Sequence, residues 1–404
     1  MVAARNSVGG SERCLQGDTD EGGARSEGIR NSRNAHHRRG QLAGSKARLA
    51  RGIIHLTTGD RMRIGVIGCG YWGSKHVRVL QQMTEVERVA VIDPQQDRLD
   101  SLVESFPALQ AFTDLDEALN QVDAVVIATP PSTHFGIAKT ALDSGKHILV
   151  EKPLTTSTGS AQRLIEHAEA ASLTLMVGHT FEYNPAVWKL REIVQSGDLG
   201  NVYYIDTARL NLGLYQPDIN VIWDLAPHDI SIANYILGSK ATTVQAWGSS
   251  YAHSYLEDVA YLRLHYEDLG VTTQIHVSWL DPCKVRRVTV VGSKKMAVYN
   301  DLADQDRIRI YDKGVVAATE QDGFHEVPMS YRYGDIISPF ISAQEPLNLQ
   351  DRQFIESIQS GEQPLTDGRS GLAVVEALEA AELSLRRRTP VMLGAGDLVD
   401  TVSQ

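Results

Sequence analysis

From Met62 onward, apolar positions fall into short runs separated by stretches with helical spacing. Arg63–Ile67 is the first run, followed by a glycine-rich turn and a helical stretch through Leu80. Arg88–Ile92, Asp123–Ala128, His147–Val150 and Leu173–Val177 are further runs. Helices fall between them, one ending near Ala118 and one over Phe135–Ser144. Strands alternating with helices predict a parallel sheet covered on both faces, an α/β Rossmann domain over residues 62–183.

Beyond Asn184 the rhythm changes. Val202–Leu210, Thr242–Ser249, Val259–Tyr266, Val271–Leu280 and Val285–Val291 have the composition of strands that mostly follow one another without helices. Turn residues such as Asp281-Pro282 separate them. This predicts an α+β domain over 184–348, built on a large, mostly antiparallel sheet. Helices are expected at Trp188–Ser196 and Ile222–Leu237. Two more, at Leu349–Ser360 and Ser370–Arg387, belong to a 349–404 segment expected to pack back on the body.

Residues 1–61 contrast with all of this. They are rich in Gly, Ser, Arg and Asn and hold eleven Lys/Arg against six Asp/Glu. Such a segment buries too little apolar surface to offset its ordering entropy, so a disordered tail is expected, with Met62 as a candidate start. Asp18, Asp20, Glu21 and Glu27 are wrong for a transit peptide. The tail balance of +5 leaves −16 on the remainder of a chain whose net charge is −11. A nucleic-acid binder would need a basic face, so that class is set aside. No apolar run reaches the roughly 18 residues of a membrane span. The spacings of Cys14, Cys69 and Cys283 match neither a zinc site nor a disulfide framework, which fits a reducing cytoplasm.

Gly68-Cys69-Gly70-Tyr71-Trp72-Gly73 spells G-x-G-x-x-G between a strand and a helix, the context a dinucleotide-binding turn requires. Gly68 allows the turn, Gly70 lets backbone approach a pyrophosphate, and Gly73 lets the helix pack on the strand. Free N–H groups of the helix N-terminus complete a phosphate site. Asp93 ends the next strand, placed to accept from the adenosine ribose hydroxyls and to repel a 2′-phosphate, so NAD is preferred to NADP. Cys69 is expected to be a small packing residue in this turn.

Lys152 follows an apolar strand and is pinned by Pro153, at the strand end where α/β sheets bind ligands. Such a cation stabilises alkoxide-like charge on a substrate oxygen; the alternative is an ordinary surface lysine. Asp224 and His228 are four apart and share a face if the segment is helical. Pro227 fits best in a first turn, which would start the helix there and leave Asp224 before it. An imidazole suits removal of a hydroxyl proton and a carboxylate suits orienting it. A metal pair or a structural histidine is the alternative, but spacing offers no third ligand, so no metal is implied.

Two further stretches, Ala128-Thr129-Pro130-Pro131-Ser132-Thr133-His134 with Gly145–Pro153, and Trp223-Asp224-Leu225-Ala226-Pro227-His228-Asp229, join the glycine turn in a pattern. Together they resemble the Gfo/Idh/MocA family of sugar and cyclitol oxidoreductases, from about Met62 to about Leu393. The Glu151-Lys152-Pro153 motif is its most specific element. The resemblance implies an active site of Lys152, Asp224 and His228, with His228 as general acid/base. It implies that Thr129, Pro130 and His134 line the cofactor crevice, along with Gly68, Gly70, Tyr71, Trp72, Gly73 and Asp93. Glu151 is expected on ribose or nicotinamide. His179, Tyr183 and Asn184 sit where the domains join, as contacts to nicotinamide or substrate or as a hinge. Phe181-Glu182 departs from the family pattern there.

A lysine and an Asp/His pair suit a polyol or sugar. Arg209, Lys284, Arg286 and Arg287 on second-domain strands would hold a phosphate or carboxylate if they face the cleft. This points to a nucleotide-linked sugar, such as a UDP-hexosamine uronate oxidised at its C3 hydroxyl; the alternatives are free inositol or glucose, with the arginines in solvent. A non-catalytic NAD-binding regulator and an NAD-dependent glycosidase on the same redox step also stay open. The exposed face of the second sheet implies a homo-dimer or homo-tetramer.

Overall fold

The computed structural model describes residues 61–213, 215–216, 218–252, 255–317 and 329–394. The expected tail therefore lies, but for Arg61, outside the described residues. Residues 62–178 form β1 (Met62–Ile67), α1 (Tyr71–Leu80), β2 (Val86–Ile92), α2 (Gln96–Ser105), β3 (Gln110–Phe112), α3 (Leu115–Leu119), β4 (Ala124–Ile127), α4 (Pro131–Asp143), β5 (His147–Glu151), α5 (Thr158–Ala170) and β6 (Leu175–Gly178). The six strands pair in parallel in the order β3-β2-β1-β4-β5-β6. Every residue of β4 is buried, as helices on both faces of a parallel sheet demand. The order reverses between β1 and β4, which opens a crevice at their carboxyl ends. Short β3, with no buried residue, carried no signal in the sequence pattern.

A 3₁₀ turn at Thr180–Tyr183 leads into α6 (Pro185–Ser196), β7 (Val202–Leu212) and α7 (Val221–Leu237). Then come β8 (Thr243–Ser249), β9 (Val259–Tyr266), β10 (Val271–Ser278), β11 (Leu280–Gly292), β12 (Met296–Asn300), β13 (Ile308–Ala317) and β14 (Met329–Ile337). The chain ends its described part with α8 (Pro346–Ser360), α9 (Gly368–Arg387) and β15 (Val391–Met392). The second sheet runs β14-β13-β12-β11-β7-β10-β9-β8-β15. Only β7 and β10 are parallel; the other neighbours are antiparallel. One face alternates inward: Ala260, Leu262, Leu264 and Tyr266 are buried while Tyr261 and Arg263 are exposed. Helix α7 packs on β10 and α9 on β8, covering that inner face. Helix α9 also packs on α5 and β6, and α8 packs on α1, so the C-terminal helices strap the second domain to the first.

Two local expectations need correction. Asp281-Pro282 is no turn between strands: both residues lie within β11, where register with β7 shifts between Leu280 and Val285. A proline that cannot donate to a ladder is accommodated at such a bulge. The reversal instead happens at Trp279, which carries the chain across the end of β7, its carbonyl accepting from Gly213 N–H at 2.8 Å. Pro227 does not start its helix either. Asn220 caps α7, its side chain accepting from the N–H groups of Ile222 and Trp223, and Pro227 lies inside.

Candidate active site

The glycine turn closes the end of β1. Gly68 has φ +92°, and a methyl group there would lie 2.7 Å from the Ala128 carbonyl oxygen. A Cβ at Gly73 would fall 1.8 Å from the Gly68 carbonyl oxygen, so α1 docks on the turn only because that atom is missing. At Gly70 no described atom comes within 4 Å of where a Cβ would stand, which leaves the backbone open to a ligand. Asp93 is buried and accepts from Cys69 N–H at 2.8 Å and Gln95 N–H at 2.9 Å. It therefore orders the turn as well as ending β2, and Arg98 Nη1 approaches it at 3.4 Å. Cys69 is a packing residue as expected, its thiol pushed up to about 12 by burial and by the charge of Asp93.

Around this cradle, Tyr71 and Trp72 are exposed on the first turn of α1, edge to face at 5.5 Å. Thr129 and Pro130 follow β4 on the facing side, and Thr133 Oγ1 donates to Thr129 Oγ1 at 2.7 Å. His134 is not at the crevice surface but fully buried behind it. Its ring nitrogens lie 2.8 Å from the Pro153 carbonyl and 2.9 Å from the Thr129 carbonyl, so it braces two crevice loops against each other. Glycines, Asp93 and a free helix N-terminus fit the phosphates and ribose of NAD.

Lys152 and Asp224 meet across the domain boundary. Lys152 Nζ donates to the Asp224 carbonyl at 2.7 Å and lies 3.3 Å from Asp224 Oδ1. The proline explains part of this geometry. Pro227 lacks the N–H that would bond the Trp223 carbonyl, which leaves a gap in the helical ladder beside the carbonyl that Lys152 uses. Asp224 Oδ2 accepts from Trp279 Nε1 at 3.0 Å, so the crossing residue of the second sheet fixes the carboxylate.

One turn further along α7, the half-buried His228 packs edge-on against Phe181, ring centroids 5.0 Å apart. Arg209 also lies over the Phe181 ring, 4.5 Å from its centroid. Burial first, then the charges of Lys152, Arg209 and Arg286, hold the His228 pKa well below its ordinary value. The ring is neutral near pH 7. An ammonium can polarise a hydroxyl, and a neutral imidazole can receive its proton.

Comparison with known proteins identifies the family. Residues 62–179 match the family described as "Oxidoreductase family, NAD-binding Rossmann fold", and residues 187–298 match the GFO/IDH/MocA C-terminal domain. The chain belongs to the Gfo/Idh/MocA family. It is an NAD-binding oxidoreductase whose dehydrogenase relatives act on alcohol groups. It is 36% identical over 190 residues to UDP-N-acetylglucosamine 3-dehydrogenase of Acidithiobacillus ferrooxidans, a match covering 46% of this chain and 58% of that relative's length. It is 27% identical to myo-inositol 2-dehydrogenase of Thermotoga maritima, covering 82% of this chain and 98% of that one. The solved structure of the Acidithiobacillus enzyme superposes with TM-score 0.67 at 26% identity, over 81% of this chain and 99% of that one. GenD2 from gentamicin A biosynthesis, solved with NAD, gives 0.71 at 26% identity, over 85% and 100%.

Against the family pattern, the remaining sequence-predicted residues separate. His179 is fully buried at the junction, and among the described residues neither ring nitrogen has a partner; burial lowers its pKa to about 4. Asn184 is committed to structure: it caps α6 through Ala186 N–H at 2.9 Å and donates to Tyr299 Oη at 3.1 Å. Arg209 spends two donors on buried Asp229, at 2.7 and 3.3 Å. Arg286 stands opposite Arg209 on β11, on the His228 side, with Nη1 3.5 Å from Asp301 Oδ2. Arg287 turns to the outer face beside Asp206. Glu151 is buried at the end of β5 and meets His76, a residue the sequence reading passed over although it follows Gly73 on the buried side of α1. Trp279 was missed as well, and Phe181 was noted only as a departure from the family pattern, because only the fold brings them to Asp224 and His228.

Proposed function

We propose that this protein is an NAD-dependent dehydrogenase of a nucleotide-linked sugar, acting reversibly on one ring hydroxyl. The observation that carries the reading is the Lys152–Asp224 contact made across the domain boundary, one helical turn from the neutral His228. NAD when bound supplies a two-electron acceptor or donor for the alcohol carbon. Lys152 and Asp224 hold the reacting hydroxyl and its neighbour by hydrogen bonds. His228 takes the hydroxyl proton on oxidation and returns it on reduction. The ammonium, pinned on two oxygens of Asp224, is preorganised against charge developing on the substrate oxygen.

Support for an anionic substrate comes from the cations gathered round His228, with Arg286 less buried than Arg209. The relative named as a UDP-N-acetylglucosamine 3-dehydrogenase agrees with this class. A free cyclitol is the second reading, favoured by the full-length match to an inositol dehydrogenase. Nicotinamide absorbance in the presence of UDP-N-acetylglucosamine, its uronate, myo-inositol and glucose separates the two. Turnover of the UDP-sugars is expected, and turnover of free polyols alone would reject the nucleotide sugar. Silence on the whole panel with tight NAD binding would favour a regulator.

We also infer a homo-oligomer joined through the outer face of the second sheet. Trp247, Tyr261 and His276 form a row across β8, β9 and β10, with Tyr261 stacked on His276 at 4.1 Å. Among the described residues no helix covers this side of Trp247 or Tyr261, both of which are exposed. Light scattering should give a mass of two or four chains; a single-chain mass rejects the inference. No helix among the described residues is long and apolar enough to cross a membrane.

A further inference from the structure

The first domain's side of the crevice carries a buried row of charges that the mechanism above leaves unused. His76 on α1 is fully buried. Its Nε2 lies 3.1 Å from Glu151 Oε1, and its Nδ1 lies 3.0 Å from each carboxylate oxygen of Asp351 on α8. Glu151 Oε2 in turn accepts from the backbone N–H of Lys152 at 3.2 Å. The partners are 75 and 275 residues from His76 in sequence. A continuous path of hydrogen bonds therefore runs from the C-terminal helix, through the cofactor helix, to the peptide that bears the crevice ammonium.

The row holds itself in one state. A carboxylate on each side gives both ring nitrogens an acceptor, which favours the imidazolium form of His76. Burial alone would lower its pKa; the carboxylates of Asp351 and Glu151, the charged groups facing the ring, reverse this and hold it up at about 10. The Glu151 carboxylate occupies the space that Gly178 leaves open: its Oε1 lies 2.9 Å from where a Cβ at Gly178 would stand. Removing any one member leaves a buried charge without its partner, so the geometry of the other two would change.

We infer that His76 and Asp351 are positioning residues: they fix the Glu151 carboxylate, and through it the Lys152 backbone, so that the ammonium meets Asp224. The inference rests on the reading above that Lys152 works in the crevice. It differs from a plain clasp between α1 and α8 in one respect. A clasp, when cut, loosens the domain as a whole; a positioning row, when cut, frees Lys152 in particular.

Limited acetylation of the full chain with acetic anhydride, read by peptide mass spectrometry, distinguishes them. Lys152 reactivity is scored against exposed Lys240 in the same sample. In Asp351→Asn and in His76→Gln, Lys152 should be labelled about threefold faster or more relative to Lys240, and Glu151→Gln should do the same. The Glu151→Gln/Asp351→Asn double variant should match Glu151→Gln alone, since both changes cut one path. Folded variants that label Lys152 at the wild-type rate, or a double variant whose effects simply add, overturn the inference. Failure of both Asp351→Asn and His76→Gln to fold also overturns it, because the row is then a structural clasp. The readout needs no substrate. A negative result here leaves the dehydrogenase reading standing, and inactivity on every sugar leaves this one testable.

Discussion

His76 is fully buried and His228 half-buried, one in each domain, and their surroundings drive them in opposite directions. His76 lies between two carboxylates and is held up at about 10. His228 sits among Lys152, Arg209 and Arg286 and is held well below its ordinary value. Burial lowers both rings, so burial cannot be what separates them. The sign of the neighbouring charge decides. One imidazole is charged near neutral pH and serves as a strut, while the other is neutral there and free to accept a proton.

The largest effect that would test this contrast is on turnover. His228→Asn and Lys152→Ala should each lower kcat on the productive sugar by about 10²–10⁴-fold, the usual worth of a placed proton-transfer or charge-stabilising group. His76→Gln should cost less, about tenfold, because it acts at a distance through Glu151. Rates from nicotinamide absorbance check this. Equal losses in all three variants would break the division between strut and base.

Stability against pH gives the next effect, with opposite signs for the two rings. The folded pKa of His228 is below 6.5, so the unfolded chain binds more protons as pH falls through 6.5, and stability drops there. His179, at about 4, adds to the same acid limb. The folded pKa of His76 is raised, so its contribution is complete below 6.5 and is lost as pH climbs toward 10. His228→Asn should flatten the acid limb of Tm against pH, and His76→Gln the alkaline limb. A smaller effect belongs to Trp279→Phe. It deletes the 3.0 Å donor to Asp224 and should cost about 1 kcal/mol, seen as roughly fivefold in kcat with NAD affinity unchanged.

How legible each part was follows from how local its cause is. The glycine turn, Asp93 and the Lys152-Pro153 step are set by neighbours in sequence, and β1, β5 and α1 fall within a residue or two of their expected bounds. Strands β9 and β10 lie close to the runs Val259–Tyr266 and Val271–Leu280 that their composition marked. By contrast, β12 to β15 were not foreseen, since β14 has almost no buried position and β15 is two residues long. Proline misled twice, at Pro227 and Pro282, where capping by Asn220 and a bulge overrode its local preference. Asp351 gave no sign of its role, for nothing in a helix of mixed composition shows that one carboxylate reaches an imidazole 275 residues away.

An effect of similar size is also the sharpest local test of what the cations round His228 are for. Arg286 and Arg287 are consecutive on β11, so the pleat sends them to opposite faces of the sheet. Arg286 lies opposite Arg209, close enough to depress His228, and Asp301 at 3.5 Å offsets its charge only in part. Arg287 lines a groove of about 440 Å³ on the far side with Trp247, Tyr261 and His276. If the inner cations select an anionic substrate, Arg286→Ala should raise KM for UDP-N-acetylglucosamine by about fivefold, leaving any turnover of myo-inositol unchanged. Arg287→Ala, an exposed charge on the wrong face, should shift neither by more than about twofold. Steady-state KM values for the two substrates, measured for both variants at one ionic strength, decide it. Equal responses from the two arginines would mean that general electrostatic attraction, not contact within the crevice, draws the substrate in.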